Sequence, residues 1–526
     1  MRRPSRFLTG VAGAATLVAV LTVAVTAAST AGPASHRPPF PVDLETASVA
    51  QLTRLLDAGR ITSVGLTRAY LERIEALDAH GPSLNTIRAL NPAALAEAKA
   101  ADQARDRQVR GRPLLGIPVL LKDNIDVKGM PTTAGSVALE RSYPASDAPL
   151  VSGLRAAGAV VLGKVNLTEF ANFLASGMPG GYSSLGGQVL NPYDLSQTPS
   201  GSSAGSGSAA AIGFAPLTVG TETSGSILSP AAANSVVGIK PTVGLISRTG
   251  IVPIAASQDT AGPMTKTVAD AAAELSALAG IDPEDPATAD NPLAEHDFTG
   301  DLSPDALRGA RIGVVRAQIP AEGTNNRALW DAALADLQSQ GATLVTVDLD
   351  TGSSIPDGST VLTYEFKRDL NAYFGRLPRN APVRTLAEVI AFNSVHEPVA
   401  LKFGQARALA SEEVDLSPGS ADTAKYLADR AQDLVDSVDR IDAVMAANNV
   451  TALLFAGAGS AGIGAKAGYP SITVPAGYQA ANRRPFNISL LGKAWSEPTL
   501  IGYAHAYEQA SGLRQPPSAV NPTLIR

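Results

Sequence analysis

The chain has no cysteine and only five histidines in 526 residues. The first absence removes disulfides, thiolate nucleophiles and Cys-based metal sites together. Its chemistry must therefore come from Ser, Lys, the few His and the carboxylates. Basic clusters are missing too, and the formal net charge is −6, so there is no positive field to capture nucleic acid, which is not an expected partner. There is no internal repeat and no linker that would cut the chain into domains. Beyond the N-terminal region no second apolar run is long enough to span a bilayer, so no stable membrane association is expected of the mature protein.

What is present starts with a leader. “MRRPSRFLTGVAGAATLVAVLTVAVTAASTAGPASH” places three arginines before an apolar run from Leu8 to Ala28, then small residues with an A-x-A-like cleavage site between Ser29 and Ala34. That is the order of a secretory signal, so residues 1–35 are read as one and the protein as secreted, or extracytoplasmic. Arg2 and Arg3 form an imperfect twin-arginine pattern. The alternative is a retained anchor, because the run approaches the roughly 20 residues that span a membrane.

With 45% hydrophobic and 17% charged residues, the rest of the chain can bury a large core. “LETASVAQLTRLLDAGRITSVGLTRAYLERIEALDA” has helical spacing, with Thr46 or Ser48, then Thr62 or Ser63, placed to cap two helices. “NPAALAEAKAADQAR” continues the pattern. At Leu114 the period changes, and “LLGIPVLLKDNIDV” and “AGAVVLGKVNL” read as buried strands on either side of the helix-like “PLVSGLRAA”. Helix and strand alternate onward through “RIGVVRAQ”, “NRALWDAALADLQSQG”, “ATLVTVDL”, “RIDAVMAANN”, “VTALLFAGAG” and “SITVPAGY”. The alternation predicts one α/β domain, residues 42–526, with helices on both faces of a sheet.

Two runs rich in Gly, Ser and Ala interrupt this order: “TPSGSSAGSGSAAAIG”, Thr198–Gly213, and “TETSGSILSP”, Thr221–Pro230. A linker should separate independent units, yet the first run leads straight into “SAAAIGFAPLTVG”. A phosphate loop would need a Lys after its last glycine, and Ser208 stands there. Gly201–Gly205 matches the G-x-S-x-G elbow of an α/β-hydrolase esterase with Ser203 as nucleophile, which then requires an acid and one of His296, His396 or His505. The preceding “NPYDLSQTPS” is turn-rich, whereas an elbow follows a strand. A different base is Lys122 in “GIPVLLKDNID”, since desolvation after an apolar run would lower its pKa toward neutrality and a neutral amine can take a hydroxyl proton. The plain alternative pairs Lys122 with Asp123 or Asp126.

The combination decides between them. “GIPVLLKDNIDVKGMPTTAGS”, “GKVNLTEFA”, “PSGSSAGSGSAAAIG”, “VGTETSGSILSPAAANSVVGIKPTVGLISRTGI” and “SQDTAGPMTKTVADAA”, in this order, resemble the amidase signature family, with the signature core at about 114–270. The resemblance implies a single α/β/α domain around a mixed, mostly parallel sheet, no cofactor and no metal. It also implies a Ser, cis-Ser, Lys triad: Lys122 as base, Ser202 as the bridging serine behind a cis peptide with Gly201, and Ser226 as nucleophile. Ser203 becomes a supporting hydroxyl. The N–H groups across Thr223, Ser224, Gly225 and Ser226 are implied as an oxyanion hole, and Phe170, Ser176 and Gly177 as pocket residues. Side chains from Asp350 to Ala410 are expected to decide what fits.

Where the family commonly has Asp, Gly and Arg near the nucleophile, this chain has Glu222, Ser224 and Leu228. These departures lead away from the transamidase that amidates glutamyl-tRNA and toward the peptide amidase branch. The implied partners are water, as acyl acceptor, and a small-molecule or peptide amide. A non-catalytic binding protein on the same scaffold is the alternative that the three altered positions suggest. Asn166, Asn449 and Asn487 stand in N-x-[ST] triplets.

Overall fold

The first two helices begin where their capping residues lie. A computed structural model describes residues 40–351, 359–521 and 524, so the expected export segment, residues 1–35, lies outside the described residues. Ser48 Oγ accepts the Gln51 N–H at 3.3 Å and opens the helix Val49–Asp57. Thr62 Oγ1 accepts the Gly65 N–H at 3.0 Å and opens Ser63–Ile74. Each cap satisfies one N–H that has no partner inside its helix.

Thirteen strands follow among the described residues: β1 Ile87–Leu90, β2 Pro118–Lys122, β3 Val160–Val165, β4 Tyr182–Ser183, β5 Gly187–Gln188, β6 Leu217–Glu222, β7 Val237–Lys240, β8 Thr260–Thr265, β9 Arg311–Val315, β10 Thr343–Val347, β11 Ala452–Ala456, β12 Ser471–Tyr478 and β13 Pro485–Leu491. Strands β4 and β5 pair alone. The other eleven form one sheet in the order β1-β3-β2-β6-β8-β7-β12-β13-β11-β9-β10, flanked by helices, and the chain from Pro41 onward is one α/β unit.

The expected mixed sheet is present, but it is not mostly parallel. β2 runs parallel to β3 and β6, and β9 to β10 and β11, whereas the remaining six neighbouring pairs are antiparallel. A parallel pair needs a crossover of about a dozen residues or more. Only residues 479–484 separate β12 from β13, so those two strands must run antiparallel.

The first Gly/Ser run is no linker. From Ala204 to Ile212 it is a helix in which every residue is buried. Its small residues follow from crowding: a Cβ on Gly205 would lie 2.4 Å from the Asn166 carbonyl oxygen, and one on Gly207 would lie 3.0 Å from Pro230 O. The helix occupies a slot that side chains of ordinary size cannot enter.

Candidate active site

Strands β2 and β6 lie side by side and parallel, with Val119 opposite Leu217 and Leu121 opposite Val219, so their carboxyl ends emerge together. That edge is where open α/β sheets present their functional loops. Lys122 ends β2, a strand buried along its whole length. Its Nζ reaches four oxygens: Ser202 Oγ at 2.8 Å, Ser203 Oγ at 2.9 Å, Thr221 Oγ1 at 2.9 Å and Thr221 O at 3.2 Å. No carboxylate is among them. Burial lowers the Lys122 pKa to about 7, and the charges of Asp259 and Glu222 only partly oppose it.

The expected alternative partners of Lys122 are engaged elsewhere. Asp123 Oδ1 accepts from Lys164 Nζ at 3.2 Å and its other oxygen bonds Thr133 Oγ1. Asp126 Oδ1 accepts from the Tyr373 hydroxyl at 2.8 Å.

Ser202 and Ser203 sit at the mouth of the buried helix. The Gly201–Ser202 peptide is cis. The Ser202 carbonyl accepts the Thr168 N–H at 3.0 Å, and the Ser203 N–H donates to the Ser226 carbonyl at 3.1 Å, which joins the two Gly/Ser runs. Ser203 Oγ donates to Thr221 O at 3.0 Å and accepts the Thr221 N–H at 3.2 Å. Among the described residues no histidine bonds Ser203. His80 pairs with Glu75, His296 with Asp301 and His396 with the Phe392 carbonyl, and His505 Nδ1 is buried without a hydrogen bond. The Ser203 esterase arrangement is not assembled from them; His36 lies outside the described residues.

Beyond β6 the chain turns through Thr223–Ile227 into the short helix Leu228–Ala233. Gly225 has φ 84°, a conformation that side chains strain, so glycine suits the turn. Glu222 Oε2 accepts the N–H groups of Ile227 and Leu228 at 2.7 and 2.9 Å, so this departure has a local use. Leu228 is fully buried. Thr223 Oγ1 donates to Asp259 Oδ1 at 2.5 Å, while Ser224 is half-exposed. Lys122 (0%), Ser202 (1%) and Ser226 (7%) are all buried, the lysine completely and Ser226 the least of the three.

The residues expected to line the pocket follow β3 in the chain. Phe170 is buried with its ring edge-on to Phe366 at 6.2 Å. Ser176 and Gly177 are exposed, and neither hydrogen-bonds to Lys122, Ser202 or Ser203. The segment 360–377, part of the 350–410 stretch expected to govern fit, packs with Phe170 and Phe173 in one apolar cluster; residues 352–358 lie outside the described residues. Of the three N-x-[ST] asparagines, Asn166 and Asn487 are buried and Asn449 is exposed.

Sequence reasoning passed over Asn124, whose Nδ2 donates to Thr221 Oγ1 at 3.0 Å, and over Thr221 itself. It also passed over Asp259, buried with a pKa pushed up to about 7 by desolvation. “SQDTAGPM” contained Asp259, but its reach to Thr223 is a tertiary contact.

A family model described as Amidase matches residues 65–501. A probable amidase of Arabidopsis thaliana is 39% identical over 490 residues, covering 91% of this chain and 92% of that protein. A putative amidase of Schizosaccharomyces pombe is 33% identical over 520 residues, covering 89% of this chain and 85% of that protein. Among solved structures, the native peptide amidase from Stenotrophomonas maltophilia superposes with a TM-score of 0.83 and 44% identity, covering 90% of this chain and 98% of that chain. Such likeness, running from the first helices to the last strands of the sheet, makes the chain a member of the amidase signature family and its activity that of an amidase, a hydrolase of carbon–nitrogen bonds.

Proposed function

We propose that this amidase acts through an acyl-enzyme on Ser226, with Lys122 as base and Ser202 as bridge, and that its substrates are C-terminally amidated peptides. The observation that carries the first part is the 2.8 Å contact between Ser202 Oγ and a lysine brought to about 7. The Ser203 hydroxyl hydrogen goes to Thr221 O, so Lys122 must donate to Ser203 Oγ; its second N–H goes to Thr221. A neutral amine then has its lone pair left for the Ser202 hydroxyl.

Ser226 Oγ attacks the amide carbon while its proton passes to Ser202 and that of Ser202 to Lys122. The relay reverses to protonate the leaving nitrogen; ammonia departs and an ester to Ser226 remains. Water attacks that ester through the same relay, and the acid is released. The N–H groups of Thr223–Ser226 receive the developing oxyanion, a contribution of about 3–4 kcal/mol per donor in other hydrolases.

Likeness to a peptide amidase supports the substrate class. The order of arginines, apolar run and small residues in 1–35 supports export. Ammonia release over peptide, aliphatic and aryl amides tests the substrate, with peptide amides expected to turn over fastest. Ser226→Ala should abolish release, and full release would end the reading. A fluorophosphonate should label Ser226, whereas an unlabelled Ser226 in folded protein would favour a binding role. N-terminal sequencing of protein from the culture medium should begin after residues 29–34; a cell-retained protein starting at Met1 would refute export.

A further inference from the structure

Four successive backbone amides, Ile254 to Ser257, each donate to a carboxylate oxygen. Asp259 Oδ2 accepts the first two, at 2.8 and 2.9 Å. Asp369 Oδ2 accepts Ala256 N–H at 2.8 Å, and Glu365 Oε2 accepts Ser257 N–H at 2.9 Å. Both acids stand one turn apart on the helix Thr360–Arg376. They are themselves held: the Tyr426 hydroxyl donates to Glu365 Oε1 at 2.6 Å, and Arg368 Nε to Asp369 Oδ1 at 2.7 Å. A cleft of about 220 Å³, with Arg248, Asp259, Asp369 and Tyr373 in its walls, opens between that helix and the 248–259 segment. Beside that opening the two meet through these hydrogen bonds. The other oxygen of Asp259 continues the chain of contacts to Thr223 Oγ1, three residues before Ser226.

We infer that Glu365 and Asp369 are positioning residues for the Thr223–Ser226 loop, acting through the Ile254–Asp259 segment and the Asp259–Thr223 bond. The inference rests on the reading of that loop as oxyanion hole and nucleophile carrier. Carboxylates accepting successive amides fix where the segment sits, and thereby where Asp259 holds Thr223. A loop displaced by a fraction of an ångström loses donor alignment that matters only in the transition state, so kcat falls while KM stays.

The test is kinetics of Glu365→Ala and Asp369→Ala on a peptide amide, alone and combined with Thr223→Val, with thermal unfolding measured for each. Each alanine variant should lose kcat by roughly 10- to 100-fold with KM changed little. Glu365→Gln keeps an acceptor for the Ser257 N–H and should hold kcat near the parent value, which covers an alanine variant that fails to fold. In the Thr223→Val background the same alanine changes should cost less than about 2-fold, because the link they act through is already cut. Fully additive losses, or a loss confined to KM, would overturn the inference. Ser226→Ala run alongside separates the two ideas: if it stays active, the site reading fails and this inference with it. If it is dead while the losses add, only this inference fails.

Discussion

Two lysines end up buried on neighbouring strands, and their surroundings differ in kind. Lys164 on β3 faces Asp123 at 3.2 Å, with both side chains fully buried. Lys122 on β2, one register step away, meets hydroxyl and carbonyl oxygens. Burial is the same and the consequence is opposite: one lysine is matched by a charge and serves the fold, the other is left without a bonded carboxylate and can serve as a base. Lys122 and Asp123 are adjacent in sequence, yet Lys122 closes β2 and Asp123 begins the turn after it, where its carboxylate meets the other lysine.

The contrast can be broken most severely at Lys122. Lys122→Met should lower kcat by roughly 10²- to 10⁴-fold, the usual worth of a general base, and leave unfolding by urea little changed or more favourable to the fold. Lys164→Met should do the reverse. It strands the Asp123 carboxylate and should cost about 3–5 kcal/mol in urea denaturation. If both variants lost stability alike and activity alike, the distinction would collapse.

The pH dependence sharpens it. Only neutral Lys122 can accept a proton, so kcat/KM should climb about tenfold per pH unit below about 7 and level off above it. A profile rising toward acid would sink the neutral-amine mechanism. The stability sign follows from the same depression: a lysine lowered from 10.5 contributes fully above that value and loses its contribution as pH falls toward about 7. Lys122→Met should remove that slope. The smallest effect belongs to Ser203→Ala, which deletes one acceptor for Lys122 and one donor to Thr221 O and should reduce kcat about tenfold, with KM as the control.

How much of this was legible depends on the reach of each contact. “PVLLK” and “VVLGKV” are legible as β2 and β3 because each is a short, β-rich apolar run of strand length. The three central strands β6, β7 and β8 are not legible in the sequence. They are buried on both faces, so they lack alternation, and Gly, Thr, Pro and Lys dilute their apolar character. The antiparallel majority was hidden for a related reason, since alternation of helix and strand says little about strand direction where connections are short. Lys122, Ser202 and Ser226 were nominated by motif and the cluster around Thr221 was not, because Asn124 and Thr221 meet across 97 residues. Glu365 and Asp369 gave no signal at all: two acids four residues apart on a helix read as a solvated face, whereas they turn inward to a segment 108 and 113 residues away.

The buried helix Ala204–Ile212 bears on engineering. Its composition is the kind that a designer would treat as free to vary, a string of glycine, serine and alanine. Yet at Gly205 even alanine would put a carbon 2.4 Å from a fixed carbonyl oxygen. In a saturation library this stretch should be among the least tolerant of the protein, and selection should leave Gly205 and its neighbours all but unchanged while exposed charged loops drift.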